Sequence, residues 1–137
     1  MSGSKYVDEA WRLRQIEEPH HNCAQSVFMP FSEEAGVSEE TAFRIAQNFG
    51  GGMKRGSVCG AVTGGLMAMG LLGIDDAETL AEYHEKIAAN HGGMLDCADL
   101  LAANEAAGKE KKSHCDAIVC ECAALVEELL ARKKEKG

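Results

Sequence analysis

Six cysteines are the residues of this 137-residue chain best suited to chemistry. Four of them stand alone in the sequence, each where a helix is predicted to begin: Cys23, Cys59, Cys97 and Cys115. The N-terminus of a helix offers unpaired N–H groups and the positive end of the helix dipole, and both stabilise an anion. Because the thiolate is the form of cysteine that binds metals and attacks disulfides, a thiol placed there suits either task. The four positions therefore predict one shared thiolate site.

Capping residues support these predicted helix starts. Asn22 directly precedes the first of the four cysteines, and Ser57 and Ser113 each lie two residues before another. Asp96 directly precedes Cys97, where the start of the helix is less sharply marked. Asparagine, serine and aspartate are the side chains that most often accept the free N–H groups of a first turn.

The remaining two cysteines are predicted to lie outside the site. Cys122 shares a helix face with Cys115 but lies two turns further on, about 10 Å along the axis. One small metal centre cannot take both, so Cys122 is predicted to be a small core residue, as free cysteines often are. Cys120 falls off the apolar stripe of the same helix and is predicted to be an exposed or an incidental thiol.

The elements that must position these residues are predicted to be helices only. Apolar residues recur at helical spacing, and no segment alternates long enough to predict a strand. We predict an all-α single-domain bundle over residues 1–137, with about five to seven helices around a central glycine-rich helix and disordered ends at 1–4 and 133–137. The predicted helices cover about 5–18, from 22 with a kink or early end at Pro30, 38–50, 57–72, 75–90, 97–104 and 113–134.

The central helix carries small residues every four positions, at Gly56, Gly60, Gly64 and Ala68. A glycine inside a helix costs about 1 kcal/mol relative to alanine, so the stripe must be offset by another gain. Either a second helix packs backbone to backbone against it, or a cofactor rests on Gly56, Gly60 and Gly64. The surrounding apolar run, 58–74, is broken by glycines and sits at the short limit for a membrane span.

Composition excludes some classes of function. The net charge is −8, and the only dense basic run is the tail 132–136, so we expect no nucleic-acid partner. The N-terminus lacks the apolar stretch of an export signal, which predicts a reducing, cytoplasmic setting. In that setting, cysteines indicate metal or redox chemistry more than a disulfide framework.

The residues alone leave several chemistries open. Four thiolates are the full ligand set of a structural zinc ion, a [2Fe–2S] cluster or a [4Fe–4S] cluster. However, the chain lacks the CxxC pairs that such sites commonly use. A metal-free redox dithiol, for example Cys23 with Cys59, and inert core cysteines are the alternatives.

Three motifs resemble those of the C_GCAxxG_C_C family of redox-active proteins. The matching segments are Asn22–Val27, Phe49–Met53 and Val58–Gly65, and the pattern Cys-Gly-Ala-x-x-Gly at 59–64 is the most specific of them. Single cysteines at Cys97 and Cys115 complete the four-cysteine set of that family. The resemblance extends from about residue 10 to 130 and leaves Cys120 and Cys122 as additions.

This resemblance implies a small helical protein with a redox role, often encoded near transporter genes. The family is in turn similar to the iron–sulfur part of split-Soret cytochromes, which favours a [2Fe–2S] centre on Cys23, Cys59, Cys97 and Cys115. We therefore predict a cytoplasmic electron-transfer or redox-sensing protein with an unidentified redox partner, for which the resemblance suggests an association with a transporter. A metal-free thiol–disulfide oxidoreductase and a zinc protein remain the alternatives. The long last helix and the glycine-faced helix also allow a homodimer.

Overall fold

The protein is described by a computed structural model that covers residues 4–136. Over this range the chain folds into seven α-helices, which confirms the predicted all-α class. The helices are α1 (Lys5–Gln15), α2 (Cys23–Ser32), α3 (Glu39–Ala46), α4 (Gly60–Leu71), α5 (Ala77–Ala89), α6 (Cys97–Ala106) and α7 (Lys111–Lys136). Residues 4–136 contain no strand, and their only isolated β-bridge joins Val58 to Asp96.

Capping side chains begin several helices where the sequence predicts. Asn22 caps α2, since its side-chain oxygen accepts the backbone N–H of Gln25 at 2.8 Å. The Gln25 side chain returns a bond to the backbone N–H of Asn22 at 2.8 Å, which completes a capping box. In α5 the cap is Asp76, which accepts the N–H of Thr79 at 2.9 Å, one residue later than predicted.

The predicted starts of α4 and α7 are wrong. Helix α4 begins at Gly60, three residues after Ser57, so Cys59 is its N-cap residue and does not lie in its first turn. Helix α7 begins before Ser113, whose hydroxyl donates to the Glu110 carboxylate at 3.0 Å instead of capping. Cys115 therefore lies in the second turn of α7, where the helix dipole acts on it less than predicted.

The structure describes part of each segment that the sequence predicts to be disordered. Ser4 caps α1 by accepting the N–H of Val7 at 3.2 Å, while residues 1–3 and 137 lie outside the described part of the chain. Helix α7 continues to Lys136, into the segment 133–137 that the sequence predicts to be disordered. Arg132 binds Glu82 of α5 at 2.6 and 3.0 Å, and Lys133 donates to the carbonyl of Gly73. These contacts hold the end of α7 against its neighbours.

All seven helices contribute to one hydrophobic core. Helices α2 and α4 form its most extensive helix pair, and α7 packs on both. The largest fully buried side chains include Phe31 of α2, Met69 of α4, Tyr83 of α5 and Ile118 of α7. Helix α4, which is rich in glycine, is central in the bundle, as the sequence predicts. None of the helices described over 4–136 has the length and apolar character required to cross a membrane.

Close packing against α2 explains the glycines of α4. A Cβ atom on Gly64 would lie 2.6 Å from the carbonyl oxygen of Ala24, and one on Gly60 would lie 3.2 Å from the nitrogen of Ala24. Gly56 lies outside α4, in the preceding turn, where a Cβ would lie 3.1 Å from that of Ala98. The predicted stripe of small residues therefore packs against other parts of the protein. Gly60 and Gly64 face α2, and Gly56 faces α6.

We expect Gly64→Ala to lower the free energy of unfolding by about 1–3 kcal/mol, because the added methyl group overpacks the α2–α4 contact. The matched control is Gly70→Ala in the same helix, where a Cβ meets nothing within 4 Å. That change should raise stability by about 0.5–1 kcal/mol, since alanine restricts the unfolded chain. Urea unfolding of both variants measures the two effects. Equal stabilities would contradict the backbone-to-backbone contact.

A left-handed turn leads from α3 towards Cys59. Gly51, Gly52, Met53 and Lys54 follow one another with φ values of 63°, 66°, 60° and 58°. The carbonyl of Gly52 accepts the N–H of Ser57 at 2.9 Å, which closes the turn. A left-handed conformation costs a residue with a Cβ about 1–2 kcal/mol, so Met53 and Lys54 store strain in the turn that leads to Cys59.

Lys54→Gly should raise the free energy of unfolding by about 1 kcal/mol, because glycine adopts this conformation without strain. Lys54 is exposed, so the change removes little else. Glu85→Gly, at an exposed position inside α5, is the control and should lower stability by about 1 kcal/mol. Thermal and urea unfolding measure both. A destabilising Lys54→Gly change would show that its side chain stabilises the turn.

Candidate functional site

One cavity collects the four cysteines that the sequence singled out. Cys23, Cys59, Cys97 and Cys115 all line a space of about 540 Å³ beside the starts of α2, α4, α6 and α7. Four thiols separated by up to 92 positions (115 − 23 = 92) thus share one site. All six cysteines of the chain are free thiols.

A short backbone bridge places Cys59 beside Cys97. The N–H of Cys59 donates to the carbonyl of Leu95 at 2.8 Å, and the N–H of Cys97 donates to the carbonyl of Ser57 at 2.6 Å. Both bonds flank the bridge between residues 58 and 96. The bridge fixes the starts of α4 and α6 together. The bridge involves too few residues to leave an alternating pattern, so the sequence does not predict it.

Burial keeps the thiol of Cys59 protonated. Its residue is only 5% exposed, and burial raises the pKa to about 11, although the N–H groups of Ala61 and Val62 at the start of α4 lower it. Burial also raises the pKa of Cys97, and the charge of Cys115 adds to this, whereas Lys111 acts in the opposite direction. Neither thiol is ionised at neutral pH in the metal-free protein.

Cys23 and Cys115 form a second, more strongly interacting pair. A hydrogen bond with the Cys23 thiol lowers the pKa of Cys115 to about 6, although burial raises it, and Arg14 and Lys111 lower it further. The same hydrogen bond and burial raise the pKa of Cys23 well above its ordinary value. The opposed shifts make Cys115 the more acidic thiol of the pair and Cys23 the hydrogen-bond donor that stabilises its thiolate.

A family comparison agrees with this set of cysteines. The model of the family described as "Putative redox-active protein (C_GCAxxG_C_C)" matches residues 21–129, which include all four cavity cysteines. The chain belongs to the C_GCAxxG_C_C family. No curated protein and no solved structure matches the chain.

The match to the C_GCAxxG_C_C family begins at residue 21, so α1 lies outside it. This helix nevertheless supplies Arg14, a cation that lines the cavity and is only 8% exposed. Arg14 is not among the site residues that the sequence predicts. Its signal is its position on the buried face of α1, seven residues after Val7, where a charged residue is unusual.

The two cysteines beyond the family pattern lie away from the cavity lining. Cys122 is completely buried, as predicted, and burial raises its pKa well above the ordinary range. Cys120 is half-buried against the core, so the prediction of an exposed thiol is wrong. Burial raises the pKa of Cys120 as well. Neither residue offers an ionised thiol at neutral pH.

Histidine adds little to the donor set. His21 is buried, with its Nδ1 3.0 Å from the carbonyl of Pro19 and its ring edge against Phe43. His20 and His114 line the cavity. Among the residues that the structure describes, no three His, Cys, Asp or Glu side chains are grouped to hold a single metal ion.

Proposed function

We propose that this member of the C_GCAxxG_C_C family is a redox protein whose four cavity cysteines ligate an iron–sulfur cluster of the [2Fe–2S] type. The observation that carries the proposal is that Cys23, Cys59, Cys97 and Cys115 line one cavity. When bound, the cluster would supply reversible one-electron transfer, suited to electron transport or redox sensing.

The chemistry of the lining fits such a cluster. Four thiolates are the complete protein ligand set of a [2Fe–2S] centre. Such a ligand set is anionic, and three cations, Arg14, Lys111 and Lys112, line the same cavity. The N–H groups of Ala61 and Val62 likewise favour the thiolate of Cys59, since both lower its pKa. Charge and hydrogen bonds at the sulfurs are what tune the potential of an iron–sulfur centre.

The pairwise arrangement of the thiols supports a two-iron centre over a single zinc ion. The backbone bridge joins the segments of Cys59 and Cys97, while Cys23 and Cys115 shift each other's pKa values in opposite directions. A structural zinc ion needs its four ligands around one point. A cluster spans a larger volume and accommodates two pairs. Of the glycines proposed to face a cofactor, Gly60 lines the cavity. Gly56 and Gly64 are explained by contacts with α6 and α2.

Anaerobic purification tests the proposal. We would record the visible spectrum of the protein and measure iron, zinc and acid-labile sulfide per chain. A brown protein with about two irons and two sulfides per chain is the expected result for a [2Fe–2S] centre. A colourless protein with zinc would contradict the proposal and indicate a structural ion. A metal-free protein that also fails to take up iron and sulfide on reconstitution would contradict it in favour of dithiol chemistry.

A second candidate function is thiol–disulfide exchange, and the opposed pKa values of one thiol pair favour it. The pair is Cys115 with Cys23, not the Cys23–Cys59 pair that the sequence suggested. The Cys115 thiolate would attack one sulfur of an external disulfide, form a mixed disulfide and release one thiolate. Cys23 would then lose its proton and displace the second thiolate from Cys115. In total, two protein thiols are oxidised to one disulfide and the external disulfide is reduced to two thiols.

Incubation of the metal-free protein with oxidised glutathione, followed by peptide mapping, tests this candidate. We expect one intramolecular disulfide between Cys23 and Cys115 and two molecules of reduced glutathione per chain. A disulfide between Cys59 and another cysteine would contradict the assignment of the pair. The redox partner, a transporter association, a homodimer and the cytoplasmic setting stay predictions from the sequence.

A further inference from the structure

Arg14 is the buried cation of the site. Its side chain is 7% exposed and lies at the end of α1, against the cavity that the four cysteines line. Burying a guanidinium costs several kcal/mol unless its N–H groups and charge are compensated. The compensating contacts of Arg14 therefore indicate what the residue does.

Both hydrogen bonds of Arg14 reach segments that carry a cavity cysteine. Its Nε donates to the Oδ1 of Asp116 at 2.8 Å, and Asp116 directly follows Cys115 in α7. Its Nη1 donates to the carbonyl of His21 at 2.9 Å, two residues before Cys23. One planar guanidinium thus ties the start of α2 to α7, next to the two cysteines that interact with each other.

Other contacts hold this tie in place. Asp116 also accepts Lys112 Nζ at 2.7 Å and Gln15 Nε2 at 3.1 Å, so its carboxylate has three donors from two helices. Burial lowers the pKa of Arg14, but Cys23, Asp116 and Cys115 together raise it above the ordinary value. The guanidinium is therefore charged, and its charge acts on both cysteines of the pair.

We propose that Arg14 is a positioning residue for Cys23 and Cys115, which holds the two thiols together as ligands or as a redox pair. The inference deepens the proposed function and rests on it for the ligand role. Arg14 lies before the family match, which begins at residue 21. The alternative is a buried ion pair that only contributes to the stability of the fold.

Two variants and one control test the proposal. Arg14→Gln removes the charge and the fork of donors, while Arg14→Lys keeps the charge but cannot donate in the same planar geometry. Arg12→Gln is the control, because Arg12 lies in the same helix but is exposed and pairs with Glu9 at 2.7 Å. Circular dichroism and thermal unfolding show whether each variant keeps the native fold.

The first measurement uses the metal-free protein. Glutathione is attached to Cys115 as a mixed disulfide, and mass spectrometry follows its loss as Cys23 attacks. We expect the adduct to persist about 10-fold longer or more in Arg14→Gln, because small displacements of reacting groups strongly slow such steps. Arg14→Lys should give a smaller increase, and Arg12→Gln none. A folded Arg14→Gln variant with the closure rate of the unmodified protein would overturn the proposal.

The second measurement uses the protein reconstituted with iron and sulfide. The chelator concentration that removes half of the iron should fall about 10–100-fold in Arg14→Gln, the usual effect of losing a group that orients a metal ligand. A purely structural ion pair would lower thermal stability and leave both measurements unchanged in the folded variant. If Arg14→Gln does not fold, a folded Arg14→Lys variant with both values unchanged would overturn the proposal.

These two measurements distinguish a wrong cluster proposal from a wrong role for Arg14. If the unmodified protein takes up no iron and sulfide, the proposed cluster is wrong, and the closure of the Cys23–Cys115 disulfide alone decides the role of Arg14. If the cluster forms and the chelator titration is the same in Arg14→Gln and in the unmodified protein, the role of Arg14 is wrong and the cluster stands.

Discussion

Serine at any one of Cys23, Cys59, Cys97 or Cys115 is expected to abolish the cluster or reduce it to a small fraction. Each of these residues supplies one of only four thiols in the cavity lining. A serine hydroxyl is a much poorer ligand for iron in such a centre, because it stays protonated where a thiolate forms. Iron and acid-labile sulfide per chain, measured after anaerobic purification of each variant, should fall close to zero together with the visible absorption.

The chain supplies its own control for this experiment. Cys120→Ser changes a half-buried thiol that does not line the cavity, so iron, sulfide and colour should match those of the unmodified protein. Circular dichroism of all five variants distinguishes cluster loss from unfolding. Unchanged metal content in all four cavity variants would refute the iron–sulfur proposal. Loss in Cys23→Ser and Cys115→Ser alone would limit the site to that pair.

Local signals gave the correct helical class and part of the site. Asn22 begins α2 because its capping box needs only residues three apart, and a local pattern of this kind is visible in the sequence. Ser57 and Ser113 have the same capping chemistry, but neither caps a helix. The N–H of Cys59 donates to the carbonyl of Leu95, and the hydroxyl of Ser113 donates to the Glu110 carboxylate. Tertiary contacts therefore decide which potential caps are used.

The parts of the site that the sequence could not show are the non-local ones. The Val58–Asp96 bridge joins residues 38 positions apart (96 − 58 = 38), and Arg14 reaches Asp116 across 102 positions. Neither contact leaves a periodic pattern. The glycines of α4 are also explained only in part by the sequence, which indicates that a helix or a cofactor packs closely against them. Only the packing shows that the approaching groups include the backbone of α2.

In the metal-free protein, the low pKa of Cys115 should make it the most reactive of the cavity cysteines. With a pKa of about 6, Cys115 is mostly thiolate at pH 7, whereas the other cavity thiols have raised pKa values. Alkylation by iodoacetamide should therefore modify Cys115 first. Its rate should rise with pH through a midpoint near 6 and level off above pH 7, since the thiolate is the reacting form. Peptide mapping at each pH identifies the modified cysteine.

Cys23→Ala should shift this midpoint upward, because the hydrogen bond from Cys23 is the largest cause that lowers the pKa of Cys115. A return to the ordinary value would reduce the thiolate at pH 7 from about nine tenths to a few per cent, so the rate should fall about tenfold or more. Cys97→Ala is the control, since Cys97 is not among the groups that shift Cys115, and its midpoint should stay near 6. Equal midpoints in Cys23→Ala and the control would mean that Arg14 and Lys111 alone ionise Cys115. The two-thiol exchange would then lose its proton donor, and only the cluster would explain why Cys23 lies beside Cys115.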